Sequence, residues 1–241
     1  MLQNYFKIAW RNLLKGKIFS IINLTGLSIG TAVVIMLLLF VKNEWSFDKF
    51  HSKSDQIYRT WVKEHFKGEL IFNSVTPLLL GEELKNNFPE IRESARYMNS
   101  TSLVKNGTFT EEETIYYVDP TFLTMFDFPL IKGKKEAALS NPNQVVITEA
   151  IGEKYFGDNT PIGQNLSFQV NGEWTDFLIS GIIEKAPVNS SIQFDILIPF
   201  EFTNNFFRES ARNCWTCVFG ETYVTVDPKT NVENLQAKIA S

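Results

Sequence analysis

The two cysteines of this 241-residue chain stand three apart, in Cys214-Trp215-Thr216-Cys217. Thiols at that spacing can form a redox couple, share a metal ion or close a local disulfide. A redox pair opens a helix after a strand in a βαβ setting, and the polar and aromatic flanks here offer none. A zinc ribbon needs a second pair, which the chain lacks. What stays open is a local disulfide in an oxidising compartment or two unjoined thiols. The two histidines, His51 and His65, lie fourteen apart with no partner motif. They read as surface or core residues, not as ligands or bases. No Gly-x-x-x-x-Gly-Lys-Ser/Thr loop occurs, so the chain brings no phosphate cradle of its own. Carboxylates are scattered, and the 21 phenylalanines fall mostly at core positions of strands and helices. No catalytic residue, cofactor or metal is expected, and the chain does not read as an enzyme.

The informative pattern is apolar. Ile18 to Val41 (IFSIINLTGLSIGTAVVIMLLLFV) runs for 24 residues without a charge. As a helix it is about 36 Å long at a rise of about 1.5 Å per residue. A bilayer's hydrocarbon core is about 30 Å thick and takes about 20 apolar residues to cross. The run exceeds the roughly 7–15 residues of a signal-peptide core, and no small-x-small cleavage pattern follows it, so it reads as a retained anchor. Gly26 and Gly30 form a Gly-x-x-x-Gly, which lets two helix backbones approach closely.

The arm before it carries Lys7, Arg11, Lys15 and Lys17 and no acid. Removing those four from the chain's 23 basic residues leaves 19 against 27 acidic ones. The positive-inside bias therefore predicts a cytoplasmic N-terminus and places everything from Lys42 onward outside. Lys7, Arg11 and Lys15 fall on one helical line, with Phe6, Ala9, Trp10, Leu13 and Leu14 opposite. That is the pattern of a basic amphipathic helix lying on membrane lipid. Gly16 reads as its joint with the spanning helix.

The organisation predicted is thus an arm at 1–17, a transmembrane helix at 18–41 and an outer domain at 42–241. The outer 200 residues suffice for a sizeable core, and 44% hydrophobic with 21% charged residues describes a globular chain. Their acidic balance argues against nucleic acid. Two cysteines do not make a disulfide scaffold. Strands are expected at 56–65 and 70–73, paired across Lys67-Gly68, and a helix capped by Thr76 with Pro77 at its first position. Separate strand pieces follow at 91–98, 102–104 and 114–118, then a short helix at 122–126. Gln144–Ile147 reads as a strand leading to Thr148 as N-cap of a helix that ends at Gly157. Asn171-Gly172 predicts a tight hairpin between 165–170 and 173–183. Further strands are expected at 192–199 and 221–226. A last helix is capped at Asn231, with Val232, Leu235 and Ile239 as its apolar line.

Several of these segments together resemble one family. They are FVKNEWSFDKFHSKSDQIYRT at 40–60, VDPTFLTMFDFPLIKG at 118–133, NQVVITEAIGEKYFGDNTPIGQNL at 143–166, SGIIEKAPVNSSIQFDILIP at 180–199 and ETYVTVDPKTNVENLQAKI at 221–239. In order and spacing they resemble the MacB-like periplasmic core domain of FtsX-like ABC-transporter permeases. The arm and anchor resemble that family's N-terminal segment. The resemblance implies an α+β periplasmic domain in two lobes behind one N-terminal transmembrane helix, in a bacterial inner membrane. It implies a cytoplasmic ABC ATPase as partner, a homodimer or paired permease, and a periplasmic partner protein. It also implies three further spanning helices, so the chain is expected to be the N-terminal part of a longer permease, its domain incomplete near Ser241. The alternative reading is a single-pass anchored sensor or binding ectodomain.

Overall fold

A computed structural model describes residues 2–240. The side chains of Leu2, Gln3, Phe6, Ala9, Leu13, Leu14, His65 and Phe66 lie outside that description, and with them most of the arm's expected apolar side. The chain divides after Phe47 into two units. The first holds α1 (Leu2–Lys15) and α2 (Lys17–Ser46), broken at Gly16 as expected. Helix α2 continues five residues past Val41, through Trp45, and ends where Phe47 turns extended (φ −57°, ψ 130°). None of its described residues is buried.

The second unit is mixed α and β. In chain order it holds β1 (Ile57–Arg59), β2 (Val62–Phe66), β3 (Glu69–Asn73), β4 (Thr76–Pro77), α3 (Leu80–Asn87), β5 (Ile91–Asn106) and β6 (Phe109–Val118). Then come α4 (Phe122–Met125), β7 (Leu130–Lys132), β8 (Gln144–Thr148), α5 (Glu149–Phe156), β9 (Asn165–Val170) and β10 (Glu173–Ile183). The last elements are β11 (Ile196–Pro199), α6 (Glu209–Arg212), β12 (Val218–Val226) and α7 (Val232–Ile239). Strands β2 and β3 form a separate hairpin.

The long strand β5 organises the rest. It pairs with β6, β6 with β11, β11 with β8, β8 with β10 and β10 with β9. Strand β9 then returns to β5 through Val104↔Phe168. These pairings close a ring, which removes free edges among its members. Alternation assigns the side chains. Ile115 and Tyr117 on β6, Val145 and Ile147 on β8, and Ile196 and Ile198 on β11 share one core cluster with Leu166, Phe168 and Phe177. Their neighbours Tyr116, Val118, Val146 and Leu197 belong to a second cluster, with Phe122, Phe126, Phe128 and Phe194. Helix α5 and the 3-10 turn at Phe200–Asn205 add Ile151, Tyr155, Phe156, Phe200 and Phe202 to the first.

On its other side β5 pairs with β12, and β12 with β1. Here α3 and α7 cover a third, smaller cluster of Leu84, Ile91, Val224, Val226 and Leu235. Arg96 of β5 ties the end of β6 to the 3-10 turn. It grips Asp119 through Nε–Oδ2 (2.9 Å) and Nη2–Oδ1 (2.7 Å) and lies over the Phe200 ring at 4.0 Å.

Local expectations held where the chain's own chemistry decided them. Helix α5 and the β9–β10 hairpin occupy the expected residues, and the hairpin turn has φ of +51° at Asn171 and +87° at Gly172, the two positive values a tight hairpin turn requires. Asn231 accepts the Asn234 N–H at 3.0 Å and caps α7. Elsewhere long-range pairing won. Thr76 and Pro77 do not start a helix. They bridge to β12, and the Thr76 hydroxyl donates to the Gly220 carbonyl at 2.9 Å, so α3 begins only at Leu80. The pieces at 91–98 and 102–104 are one sixteen-residue strand, since Asn99 to Thr101 pair with β6 in register. The run 56–65 is split between β1 and β2, and 192–199 is a strand only from Ile196. Thr148 sits before α5, but its hydroxyl donates to Asp195 Oδ1 at 3.0 Å instead of capping the helix.

Candidate functional site

The residues singled out by sequence are presented in three places. Lys7, Arg11 and Lys15 lie one turn apart along α1, all exposed, with Lys15 in its last turn where a cation suits the helix dipole. Gly26 and Gly30 lie one turn apart on α2. A Cβ built at either meets nothing within 4 Å, so that stripe of backbone is open. Helix α2 is, among the described residues, the one helix long and apolar enough to cross a membrane. Cys214 and Cys217 are joined by a disulfide in the loop between α6 and β12.

That loop borders a cleft. Trp215, between the cysteines, lines it with Tyr58 and Trp61 at the β1 edge, Leu84 on α3, and Leu235 and Ile239 on α7. The cleft holds about 450 Å³ and, among the described residues, has Arg59 as the single charged one in its lining. Arg59 is already engaged: its guanidinium pairs with Glu221 at 3.2 Å and lies 4.9 Å from the Trp61 ring. Size and lining fit a site for an apolar ligand. Ile239, read from sequence as part of the α7 apolar line, is 42% exposed at the cleft rather than packed.

The segment that enters the domain makes a second constellation, one that motif reading passed over. Asp48, the first residue of the domain unit, has φ +57°, a conformation that aspartate tolerates better than most residues. Its N–H donates to the Asn189 carbonyl at 3.0 Å, and its Oδ1 accepts the Ser191 N–H at 2.8 Å. Three residues on, His51 is buried at 4% exposure among Phe50, Phe126 and Phe128, with ring centroids 4.0 to 5.2 Å away. Its Nδ1 accepts the Asp127 N–H at 3.0 Å, and the Asp127 carboxylate accepts the Ser52 N–H.

Burial pushes the His51 imidazole down. The Asp48 and Asp127 carboxylates oppose that shift without cancelling it, and Lys135 adds to it. Burial pushes the Asp127 carboxyl up, but the Ser52 hydrogen bonds outweigh it and hold the group below the usual range. A cavity of about 330 Å³ with a mixed lining opens beside the ring: Asp48, His51, Ser54, Arg59, Ser191 and Tyr223 face it together with Ile57, Phe126 and Ile192. The sequence signal for this site was the Phe-Asp-x-Phe-His run directly after the apolar helix. Spacing alone does not reveal it, because its partners Asp127 and Ser191 lie 76 and 140 positions from His51. Among the described residues no group of three or more His, Cys, Asp or Glu could hold a metal ion.

Comparison with known proteins places this architecture. The family model described as the MacB-like periplasmic core domain matches residues 20–241. No curated protein sequence matches the chain. Among solved structures, a domain of a protein assigned as a permease from Porphyromonas gingivalis superposes with a TM-score of 0.64 at 24% identity, covering 77% of this chain and 82% of that one. The periplasmic region of MacB from Actinobacillus actinomycetemcomitans follows at 0.52 and 15%, covering 68% and 72%. The extracellular domain of the noncanonic ABC-type transporter YknZ from Gram-positive bacteria gives 0.52 and 12%, covering 74% and 86%. At these identities the structures speak for the fold, and the family model speaks for membership. The chain belongs to the family of MacB-like periplasmic core domains.

Proposed function

We propose that the chain is the N-terminal part of a non-catalytic permease subunit of an ABC transporter, in the bacterial inner membrane. A cytoplasmic ATPase supplies the energy, and this chain carries the resulting motion to the outer domain for export or for mechanical signalling. The observation that carries the reading is the span of the family match. It begins inside the apolar helix, at residue 20, and runs to residue 241, which supports reading anchor and domain together. The basic arm with Lys7, Arg11 and Lys15 supports a cytoplasmic N-terminus on the membrane face. The open Gly26–Gly30 stripe supports packing against the helix of a second copy or a paired permease. The Cys214–Cys217 disulfide suits an oxidising outer compartment.

The test is purification of the protein from its own membranes in mild detergent. An ATP-binding subunit is expected to co-purify in fixed ratio, with ATP changing the amide-exchange pattern of the outer domain. A protein that comes out alone and is indifferent to ATP overturns the reading. The apolar cleft favours the second reading, an anchored binding ectodomain. A ligand-dependent rise in melting temperature without any ATPase would support it.

A further inference from the structure

The segment Asp48–Gln56 is the stretch by which the outer domain is reached from residues 1–47, and His51 sits at its middle. We propose that His51 is a proton-sensitive clamp: neutral, it fastens this entry segment to the strap at Phe126–Phe128; protonated, it lets go. The geometry supplies the mechanism. Nδ1 accepts the Asp127 N–H, so the neutral ring must carry its proton on Nε2. A second proton can only go to Nδ1. There it meets the Asp127 N–H head-on and abolishes the bond. It also places a full charge on a side chain 4% exposed and ringed by Phe50, Phe126 and Phe128. The cavity that His51 lines with Asp48, Ser54 and Ser191 gives water access to the ring.

The groups facing His51 come from every element around it. Asp48 from its own segment and Asp127 from the strap favour the charged ring, and Lys135, beyond β7, opposes it. Arg59 of β1, paired with Glu221, lines the shared cavity, as does Tyr223 of β12, whose hydroxyl donates to Glu221. The 189–192 stretch contributes no titratable side chain. Desolvation is the largest influence and holds the ring below imidazole's ordinary value of 6.5. A base held down in the folded state binds its proton more readily once released. The clamp is therefore fully closed above about pH 6.5 and weakens as pH falls from there through the lower, folded value. Only the use of the clamp in transmitting motion rests on the permease reading; the clamp itself is a property of this chain.

The experiment is amide exchange on the full chain in detergent, without ATPase, from about pH 7.5 to about pH 5, corrected for intrinsic exchange rates. Protection of the Asp127 amide is expected to fall about tenfold for each pH unit between 6.5 and the folded pKa. His51→Asn keeps an acceptor but cannot titrate, and should make that protection independent of pH. A loss in acid that persists in His51→Asn overturns the proposal. So does a wild-type protein whose protection does not change. If His51→Asn fails to fold, His65→Gln leaves His51 as the sole imidazole for NMR titration. A value below 6.5 with Nδ1 unprotonated at neutral pH is expected, and titration at or above 6.5 overturns the clamp.

Discussion

Two apolar stretches of this chain treat their apolarity in opposite ways. Helix α2 buries none of its described residues: Phe40, Leu38 and Met36 are 60%, 65% and 70% exposed. Strand β8 encloses its apolar run: Val145, Val146 and Ile147 are fully buried. A helix satisfies its own backbone hydrogen bonds and can leave its whole surface to lipid. A strand cannot, so its backbone recruits partners, and the partners bring two faces of side chains that must be covered. The two units are thus built on one hydrophobic driving force, with lipid as the expected cover in one and the protein itself in the other.

That contrast predicts paired outcomes. The largest concerns phenylalanine. Phe128→Ala, in the fully enclosed second core cluster, should cost about 3–5 kcal/mol of domain stability. Phe40→Ala on α2 should leave the same denaturant midpoint within about 0.5 kcal/mol. Equal losses would mean that α2 packs on protein rather than on lipid. The second pair is ionic. Asp119→Asn removes the forked partner of Arg96 and should cost about 1.5–3 kcal/mol in chemical denaturation. Lys42→Ala, on the exposed end of α2, should cost less than about 0.5 kcal/mol. The smallest pair tests helix ends. Asn231→Ala deletes the α7 cap and should cost about 1 kcal/mol, read as a lower melting temperature. Gly16→Ala should cost nothing measurable. Its φ is −99°, and an added Cβ would meet only the Asn12 carbonyl, at an ordinary 3.8 Å.

Legibility followed the range of the interaction. Helix α5 lies where Thr148 and Gly157 predict it, and Gly157 has φ +56°, a value that spares glycine the strain of other residues. Thr76-Pro77 carries a strong helix-start signal and still became a strand bridge. The partners that captured it, Gly220 and Thr222, lie some 145 positions away, and the buried hydroxyl of Thr76 contacts both. At Asn99–Thr101 the side chains are exposed and give no strand pattern, so it is the ladder to β6 that makes the middle of β5 a strand. The candidate sites divide in the same way. The basic line of α1 and the glycine pair of α2 are written in four-residue spacings. The His51 clamp joins residues 76 positions apart, and the apolar cleft joins the two ends of the domain.

Short spacing and composition decide the local features. An uncharged 24-residue run predicts a helix suited to lipid, a basic arm predicts its orientation, and Asn-Gly and Asn231 fix a hairpin and a cap. The family resemblance then supplied the class of domain. Only the tertiary structure decided how β9 returns to β5 to close the ring, which hydroxyls leave helix ends for sheet partners, and that a histidine without a motif is buried against Asp127. The physical reason is that strand pairing and burial are settled by whichever distant partner satisfies a backbone group or covers an apolar face, and no local spacing encodes that choice.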